Sequence, residues 1–310
     1  MTSSPFGKQV ILGGERSDKN IWTSIKIDRY LYNLEHGIEQ ETAVSPFFDR
    51  KLGLRKGNIN FQYSKTEEKE IEKCMNDIVY FANNYCFAMT DEGVQKITLR
   101  DYQKVILKQF AQNRYIAYLA SRQIGKTIMS AIYMMWYLCF NFDRNVMVVA
   151  NKAVTMMEIM DKMKVVYQNL PYFLKPGLLE NNKSNMKFDN GCRIQGQATS
   201  DTPALGFAIH LLYADEFAHI PQNIVEPFYR SIYPTLSSSD ISQMIITSTP
   251  NGINKFYDIY QGAVHRKNDF IPLRTDWWEV PGRDDKWRDR EVGNLGSIEL
   301  FNQEYGNQFL

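Results

Sequence analysis

Seven residues between two apolar runs have the pattern of a phosphate-binding loop. Residues 121–127 read Ser-Arg-Gln-Ile-Gly-Lys-Thr and follow the strand-like run 115–120. A Gly-Lys-Thr turn between a strand and a helix directs backbone N–H groups and a helix N-terminus toward an anion. Lys126 is then expected to reach the β- and γ-phosphates, and the Thr127 hydroxyl to bind Mg²⁺. The loop consensus has glycine where this chain has Ala120, so a Gly-Lys-Thr that merely begins a helix is the alternative.

An acidic pair follows a second strand-like run, 210–214, and consists of Asp215 and Glu216. Two carboxylates at the end of a buried strand are costly unless a metal ion or hydrogen bonds engage them. In phosphoryl transfer, the first carboxylate holds the Mg²⁺ shell and the second orients the attacking water. Because the loop and the pair occur in one chain, they predict a nucleotide-hydrolysing site.

Three consecutive hydroxyl residues, Thr247, Ser248 and Thr249, end a third strand-like run that begins at Gln243. A Pro-Asn-Gly turn follows them. Hydroxyls at a strand tip can hydrogen-bond a γ-phosphate or the attacking water, and so sense hydrolysis. The alternative is an ordinary polar strand end that caps the next helix.

Strand-like and helix-like segments alternate along the chain, which predicts a parallel sheet with right-handed crossovers. Predicted strands are 115–120, 146–150, 210–214 and 243–249, predicted helices are 64–85, 99–110, 128–140, 153–169, 224–233, 253–260 and 299–305, and 186–194 is a predicted hairpin with Asp-Asn-Gly at its turn. In an open parallel sheet, ligands collect at the carboxyl ends of strands. One crevice is therefore expected to contain the loop, the acidic pair and the hydroxyl tip.

Composition indicates a globular protein with a substantial core, since 44% of its 310 residues are hydrophobic and 13% are aromatic. The four cysteines have no C-x-x-C spacing, which favours reduced thiols over a disulfide framework or a zinc site. The N-terminus lacks a signal-peptide pattern, and the longest apolar stretch is too short to span a bilayer. The four histidines form no ligand cluster, and His219 is interpreted as structural.

A net charge of +1 gives no sign of a generic polyanion binder. Two groups of basic residues, one in each half of the chain, are interpreted as solvated surface. They are Arg50, Lys51, Arg55, Lys56, Arg283, Lys286, Arg288 and Arg290.

Together, these motifs resemble the large terminase subunit of tailed bacteriophages, and most closely its T-even-like branch. The resemblance is carried by residues 99–103 (Leu-Arg-Asp-Tyr-Gln), 121–127, 212–218 (Leu-Tyr-Ala-Asp-Glu-Phe-Ala) and 246–252 (Ile-Thr-Ser-Thr-Pro-Asn-Gly). It extends from about residue 66 to the end of the chain. That family tolerates a residue other than glycine at the first position of the loop.

The resemblance implies a P-loop NTPase of the ASCE or RecA-like class: a mostly parallel central sheet flanked by helices, plus a small subdomain. Residues 1–310 are then expected to be a terminase ATPase domain. Its core subdomain would be 21–275, and its small subdomain would combine 1–20 with 276–310. Large terminases of this family continue into a nuclease domain, and the residues after 275 are too few to form one. The chain is therefore expected to be the ATPase half and not to cut DNA.

The resemblance also assigns roles to residues. Those expected to hold ATP are Tyr102, Gln103, Ser121, Arg122, Gln123, Ile124, Gly125, Lys126 and Thr127. The expected catalytic residues are Glu216, Arg122 and Lys126, the Mg²⁺ ligands Thr127 and Asp215, and the coupling residues Thr247, Ser248 and Thr249.

Two of these expected roles have alternatives. Gln103 can hydrogen-bond the Watson–Crick edge of adenine and Tyr102 can stack on it; the alternative is a helix-surface glutamine beside a core tyrosine. Arg122 is interpreted as an arginine finger acting in cis, because guanidinium suits the charge that develops on the γ-phosphoryl oxygens. A neighbouring subunit could instead supply the finger, and Arg122 could be a surface arginine without a catalytic role.

The function implied by the resemblance is Mg²⁺-dependent ATP hydrolysis that drives double-stranded viral DNA through a portal into the prohead. The implied partners are that DNA, the portal protein, a small terminase subunit and further copies of the chain in a ring, with no membrane. The expected location is the host cytoplasm during virion assembly, outside the finished virion. The alternatives are a superfamily-2-like helicase or remodelling ATPase, and a nucleotide-binding regulatory module without turnover.

Overall fold

The computed structural model describes residues 21–40, 44–199 and 208–310. The strands in these residues are β1 (Phe87–Thr90), β2 (Gly93–Lys96), β3 (Tyr115–Ala120), β4 (Asn145–Ala150), β5 (Leu178–Asn181), β6 (Asn185–Phe188), β7 (Arg193–Ala198), β8 (Leu211–Asp215), β9 (Gln243–Ser248) and β10 (Ile271–Thr275). The helices are α1 (Ser24–Glu35), α2 (Lys65–Asn76), α3 (Ile78–Tyr85), α4 (Asp101–Gln112), α5 (Lys126–Phe140), α6 (Ala153–Asn169), α7 (Gln222–Ser237), α8 (Lys255–Val264), α9 (Asp285–Leu295) and α10 (Ile298–Glu304).

Within the described residues, eight strands form one sheet in the order β10-β3-β9-β8-β4-β7-β6-β5, and β1 pairs with β2 separately. The strands from β10 to β7 are parallel, and β6 and β5 extend the sheet antiparallel. Parallel strands require crossover connections, which the helices supply. The expected α/β fold, with a mostly parallel central sheet flanked by helices, is therefore confirmed.

Alternate residues of the central strands pack against helices on opposite faces of the sheet. On β3, Ile116 and Tyr118 join the core formed with α4, α5 and α6. Ala117 and Leu119 join the core formed with α7 and α8. Because both faces are covered, the central strands are continuous apolar runs without polar alternation. This is the pattern that identified residues 115–120 as a strand.

The predicted helix over 64–85 is wrong in one respect, because two helices occupy this region. Ser64 and Glu67 form the expected capping box at the start of α2. Asp77 then leaves helical geometry, and its carboxylate accepts hydrogen bonds from the N–H groups of Val79 and Tyr80. Asp77 therefore caps α3 and separates the two helices.

The other predicted segments lie within a few residues of the observed elements. The predicted hairpin is formed by β6 and β7, and Gly191 in its turn has a φ of 79°. Six elements were not predicted from the sequence: α1, α9, β1, β2, β5 and β10. Among these, β10 bears most on the site, because it pairs with β3 and ends at Thr275, level with Ala120 at the start of the loop.

The segment after β10 has an aromatic cluster of its own. Trp277, Phe301 and Tyr305 are buried together, with Trp287 packed against them. The Asn307 side chain donates to the Thr275 carbonyl at 2.8 Å, which ties the segment to the end of β10. The expected boundary at 275 coincides with the end of that strand. The expected pairing with residues 1–20 lies outside the described residues, so the division into subdomains stays a prediction.

All four cysteines are buried and free, as expected for reduced thiols. Among the described residues, no helix is both long enough and apolar enough to cross a membrane.

Candidate active site

The structure brings the loop lysine and the acidic pair together. Lys126 Nζ lies 2.8 Å from Asp215 Oδ1 and 2.7 Å from Glu216 Oε1. Lys126 is 8% exposed and Asp215 is 2% exposed, so most of this ion-pair network is shielded from water. The predicted convergence of the two motifs is therefore observed, whereas the catalytic roles of these residues stay predictions.

Sheet topology produces this convergence. The loop follows β3 and the acidic pair ends β8, and β9 lies between these two strands in the sheet. All three strands are parallel, so their carboxyl ends meet at one edge, where ligands of such sheets collect. The hydroxyl tip of β9 is thereby placed between the loop and the acidic pair.

Left-handed backbone conformations shape both halves of the site. Gly125 precedes α5 with a φ of 82°, and a Cβ there would lie 2.7 Å from Gln103 Nε2. Gln123 in the loop and Glu216 in the acidic pair have φ values of 57° and 50°. Side chains other than glycine adopt this region at a cost, and such residues concentrate at functional sites. Each half of the site thus contains one residue other than glycine in this conformation, Gln123 in the loop and Glu216 in the acidic pair.

One polar atom of the loop is available to a ligand. Ser121 Oγ is buried and has no hydrogen-bond partner among the described residues. A buried hydroxyl without a partner costs free energy that a phosphate oxygen can recover. Together with the N-terminus of α5, this atom fits the loop to an anion.

The charges of the site stabilise each other. Burial acts to lower the pKa of Lys126, but the carboxylates of Asp215 and Glu216 outweigh it and raise that pKa. Burial likewise acts to raise the pKa of Asp215, and the Lys126 ammonium with the Thr247 hydroxyl lowers it overall. Lys126 is therefore an ammonium and Asp215 a carboxylate at neutral pH.

The hydroxyl tip of β9 contacts the acidic segment at three points. The Thr247 hydroxyl donates to Asp215 Oδ1 at 2.7 Å. Ser248 Oγ accepts from the Ala218 N–H at 3.1 Å, and Thr249 Oγ1 lies 3.5 Å from Glu216 Oε2. The alternative interpretation of the tip as a helix cap is wrong, because α8 begins well beyond it.

The cap of α8 is Asn254, whose side chain accepts from the N–H groups of Phe256 and Tyr257. The hydroxyls of β9 are thus free of a capping role and face the acidic segment.

Tyr102 and Gln103 are buried against the loop, so the alternative of a helix-surface glutamine is wrong. The Tyr102 hydroxyl and the Gln103 amide both donate to the Ile124 carbonyl, at 2.7 and 3.1 Å. Gln103 Oε1 also accepts from the Arg100 N–H at 3.0 Å. Both side chains therefore fix the loop backbone, and their contact with a base stays a prediction.

Arg122 is directed toward the C-terminal segment. Its guanidinium is half exposed and forms an ion pair with Glu304 at the end of α10. The backbone N–H of Arg122 donates to the Glu304 carbonyl at 3.1 Å. The carboxylate partner that the structure gives Arg122 is therefore Glu304, not a member of the acidic pair.

Arg283 is a site residue that the sequence analysis missed, since its basic run was interpreted as solvated. It is half-buried and donates to the carbonyls of Arg122 at 3.1 Å and Gln123 at 3.2 Å. Its guanidinium lies 4.6 Å from the centre of the Trp287 ring. Arg283 precedes α9, whose N-cap is Asp284, so the i,i+4 rule for helices does not apply to it and no local pattern signals these contacts.

His219 is a second missed residue. Its Nε2 lies 2.8 Å from Thr249 Oγ1 and 3.6 Å from Glu216 Oε2. No local pattern in the sequence signals this contact.

The oxygen donors of this site suit Mg²⁺ bound together with a nucleotide better than a metal ion whose ligands all come from the protein. Among the described residues, no three histidine, cysteine, aspartate or glutamate side chains form a metal-binding group. Mg²⁺ bound with a nucleotide usually takes one or two protein ligands and completes its shell with phosphates and water. Asp215, with Thr127 in the first turn of α5, supplies a donor set of that kind.

A loop after β3, an acidic pair after β8 and an intervening polar strand tip define a P-loop NTPase. Residues 117–310 match the family model described as terminase large subunit, T4-like virus type, N-terminal. The match covers more than half of the chain, and the chain belongs to this family.

Solved structures with a similar fold are also terminases. The large terminase ATPase domain of Thermus phage P74-26 is 19% identical, with a TM-score of 0.55 over 69% of this chain and 94% of that one. The bacteriophage HK97 large terminase is 15% identical, with a TM-score of 0.62 over 76% of this chain and 55% of that one. The large terminase of a thermophilic bacteriophage, in complex with ADP, is 14% identical, with a TM-score of 0.54 over 68% of this chain and 54% of that one.

These similarities show the fold. The chain spans about half the length of the HK97 protein and of the ADP-bound thermophilic-phage protein.

Proposed function

We propose that this chain binds ATP with Mg²⁺ at the carboxyl edge of its sheet and hydrolyses it to drive double-stranded viral DNA into a prohead. The observation that carries the proposal is the contact of Lys126 with both Asp215 and Glu216. A phosphate-binding loop and an acidic pair that meet through their charged side chains form the minimal equipment for phosphoryl transfer.

Binding of the triphosphate would exchange the partners of Lys126. The lysine would turn from the carboxylates to the β- and γ-phosphates, whose negative charges replace those that it leaves. Asp215, released from the ammonium, and Thr127 would hold Mg²⁺. That ion would neutralise charge on the phosphates.

Glu216 would orient the attacking water and accept its proton. Its carboxylate is partly accessible, with 28% of the side chain exposed, in contrast to the buried Asp215. A carboxylate that must meet a water molecule needs this access, whereas a carboxylate that holds a metal ion needs enclosure. The two members of the pair are thereby assigned different roles.

The first test is Glu216→Gln. We expect ATP and Mg²⁺ to bind with unchanged affinity and turnover to fall by about 10³-fold, since the amide cannot accept the proton. Binding is measured by calorimetry and turnover by phosphate release. The matched control is Glu226→Gln, because Glu226 is a partly exposed glutamate on α7 that pairs with Lys255. Normal turnover in Glu216→Gln together with an inactive Asp215→Asn would mean that the two roles are interchanged.

DNA packaging is supported by the family to which the chain belongs. The proposed partners are the viral DNA, a portal protein, a small terminase subunit and other copies of the chain in a ring, all meeting in the host cytoplasm. We expect ATP turnover to rise when portal or small subunit is added. Stimulation by single-stranded nucleic acid alone would favour the helicase-like alternative.

We propose that residues 21–275 form a core subdomain and that residues 1–20 together with 276–310 form a small subdomain. Motion of the small subdomain against the core would couple hydrolysis to movement. We also expect these 310 residues not to cut DNA. Nicking of plasmid by pure protein, lost on substitution of an aspartate in 284–289, would contradict this expectation.

A further inference from the structure

The two oxygens of the Glu216 carboxylate contact different residues of the site. Oε1 contacts Lys126 Nζ at 2.7 Å. Oε2 contacts Thr249 Oγ1 at 3.5 Å and His219 Nε2 at 3.6 Å. Each oxygen therefore has its own contacts, Lys126 for Oε1 and Thr249 with His219 for Oε2.

The proposed function removes one of these restraints. Lys126 turns to the phosphates when the nucleotide binds, and Oε1 then loses its partner. Of the contacts to the carboxylate described above, only those to Oε2 remain. A carboxylate that orients water must be fixed at this moment, because misplacement by about 1 Å can cost about 10²-fold in rate.

His219 is placed to secure the remaining contact. It ends a short 3₁₀ turn, Phe217–His219, and its N–H donates to the Glu216 carbonyl at 2.9 Å. Its ring nitrogen lies 2.8 Å from Thr249 Oγ1, which is shorter than the distance from that oxygen to Glu216. His219 is thus held through both its backbone N–H and its ring nitrogen.

We propose that His219 is a positioning residue for Glu216: its Nε2–H donates to the Thr249 hydroxyl, which in turn donates its only proton to Glu216 Oε2. This inference rests on the proposed function, because it gives His219 its role through the carboxylate that orients the water. A hydroxyl that accepts from His219 has its proton free to point at the carboxylate. Without that donor, the hydroxyl can rotate and leave Oε2.

The electrostatic surroundings agree with a neutral ring. Burial lowers the pKa of His219 and the charges of Arg122 and Lys126 lower it further, against the opposing effect of Glu216. In a neutral imidazole, the tautomer with its proton on Nε2 is the one that donates to Thr249.

The experiment compares His219→Phe with His219→Gln, and uses His265→Phe as a control. Phenylalanine fills the space of the ring without a donor, whereas the glutamine amide can place a donor near the position of Nε2. His265 is an exposed histidine at the end of α8. We expect kcat of His219→Phe to fall by about 10²-fold with KM nearly unchanged. His219→Gln should recover most of that loss, and His265→Phe should match wild type.

A second measurement does not depend on turnover. Denaturant unfolding of wild type, His219→Phe, Thr249→Val and the double variant, all without nucleotide, gives the coupling between the two side chains. We expect the two substitutions to be non-additive, because either one breaks the same hydrogen bond.

The outcomes separate this inference from the proposed function. Wild-type protein without ATPase activity would contradict the proposed function, and the unfolding cycle would still test the contact of His219 with Thr249. Unchanged kcat in His219→Phe, or a loss that His219→Gln does not recover, would overturn the positioning role. Additive unfolding energies would overturn the contact itself.

Discussion

Two buried lysines in this molecule are satisfied in different ways. Lys126, at the carboxyl edge of the sheet, contacts two carboxylates. Lys175, just before the edge strand β5, donates to the backbone carbonyls of Gly53 at 2.7 Å and Gln168 at 3.0 Å. Both are less than 10% exposed, so burial alone does not distinguish them.

Arg55 extends the second of these regions. Its guanidinium donates to the carbonyls of Tyr172 and Lys175, at 3.2 and 3.1 Å. It also lies 4.9 Å from the ring centre of Phe61 and 5.0 Å from that of Tyr172. Backbone carbonyls and aromatic faces therefore hold this cation in a cage that joins two distant parts of the chain.

The chemical nature of its partners determines whether a buried cation can exchange them. Carboxylates can be replaced by phosphates, which carry the same sign of charge and are proposed to bind in the same crevice. Backbone carbonyls belong to the fold, and their hydrogen bonds are lost only if the local structure opens. We therefore interpret the region of Lys126 as a site of exchange and the region of Arg55 and Lys175 as a structural clamp.

The largest effect is expected at Arg122, a cation of the phosphate-binding loop whose carboxylate partner is Glu304 of the C-terminal segment. Arg122→Ala should leave ATP binding intact and lower kcat by at least about 10³-fold, because charge on the γ-phosphoryl oxygens would lose its stabilisation. The exposed Arg230 on α7 offers the control substitution Arg230→Ala. Near-normal phosphate release by Arg122→Ala would remove this arginine from catalysis.

The next largest effect is a difference in kcat/KM between substitutions of the two lysines. Lys126→Met should lower kcat/KM by about 10²- to 10³-fold, since one preorganised charge on the phosphates is lost. Lys175→Met should keep kcat/KM within about twofold of wild type, since Lys175 lies outside the site. Phosphate-release assays on both variants measure the contrast. Equal losses of activity would erase the distinction between exchange site and clamp.

The smallest effect is a pH dependence of stability. Burial lowers the pKa of Lys175 to about 7. Between that value and the ordinary lysine pKa of about 10.4, the unfolded chain holds a proton that the folded chain has released, so stability rises with pH. Relative to Lys175→Met, the free energy of unfolding should increase by about 1.5 kcal/mol from about pH 7 to about pH 8.5. Urea titrations at both pH values check this, and a constant difference would mean that Lys175 stays charged.

Much of the exchange site could be predicted from the sequence because it obeys general rules. The loop and the acidic pair each follow a continuous apolar run, and the carboxyl ends of parallel strands share an edge. That Lys126, Asp215 and Glu216 lie at the same edge follows from these rules, whereas their direct contact depends on the observed strand order β3-β9-β8. The helix break at Asp77 was not predicted, because the apolar periodicity continues on both sides of it, although aspartate favours the N-cap position.

The clamp could not be predicted, because its contacts link residues far apart in the chain. Arg55 was interpreted as solvated together with its basic neighbours, and it is 2% exposed. Its partners Tyr172 and Lys175 lie 117 and 120 residues away, and nothing local marks them. The strand β10 was not predicted either, because it is a short edge strand that contains Pro272 and is only partly buried.

A structure of the protein with Mg²⁺ and a slowly hydrolysed ATP analogue would show whether Lys126 exchanges carboxylates for phosphates. We expect Lys126 Nζ within hydrogen-bond distance of phosphate oxygens, and Asp215 facing the metal ion. A triphosphate bound elsewhere, with Lys126 still in contact with both carboxylates, would contradict the account.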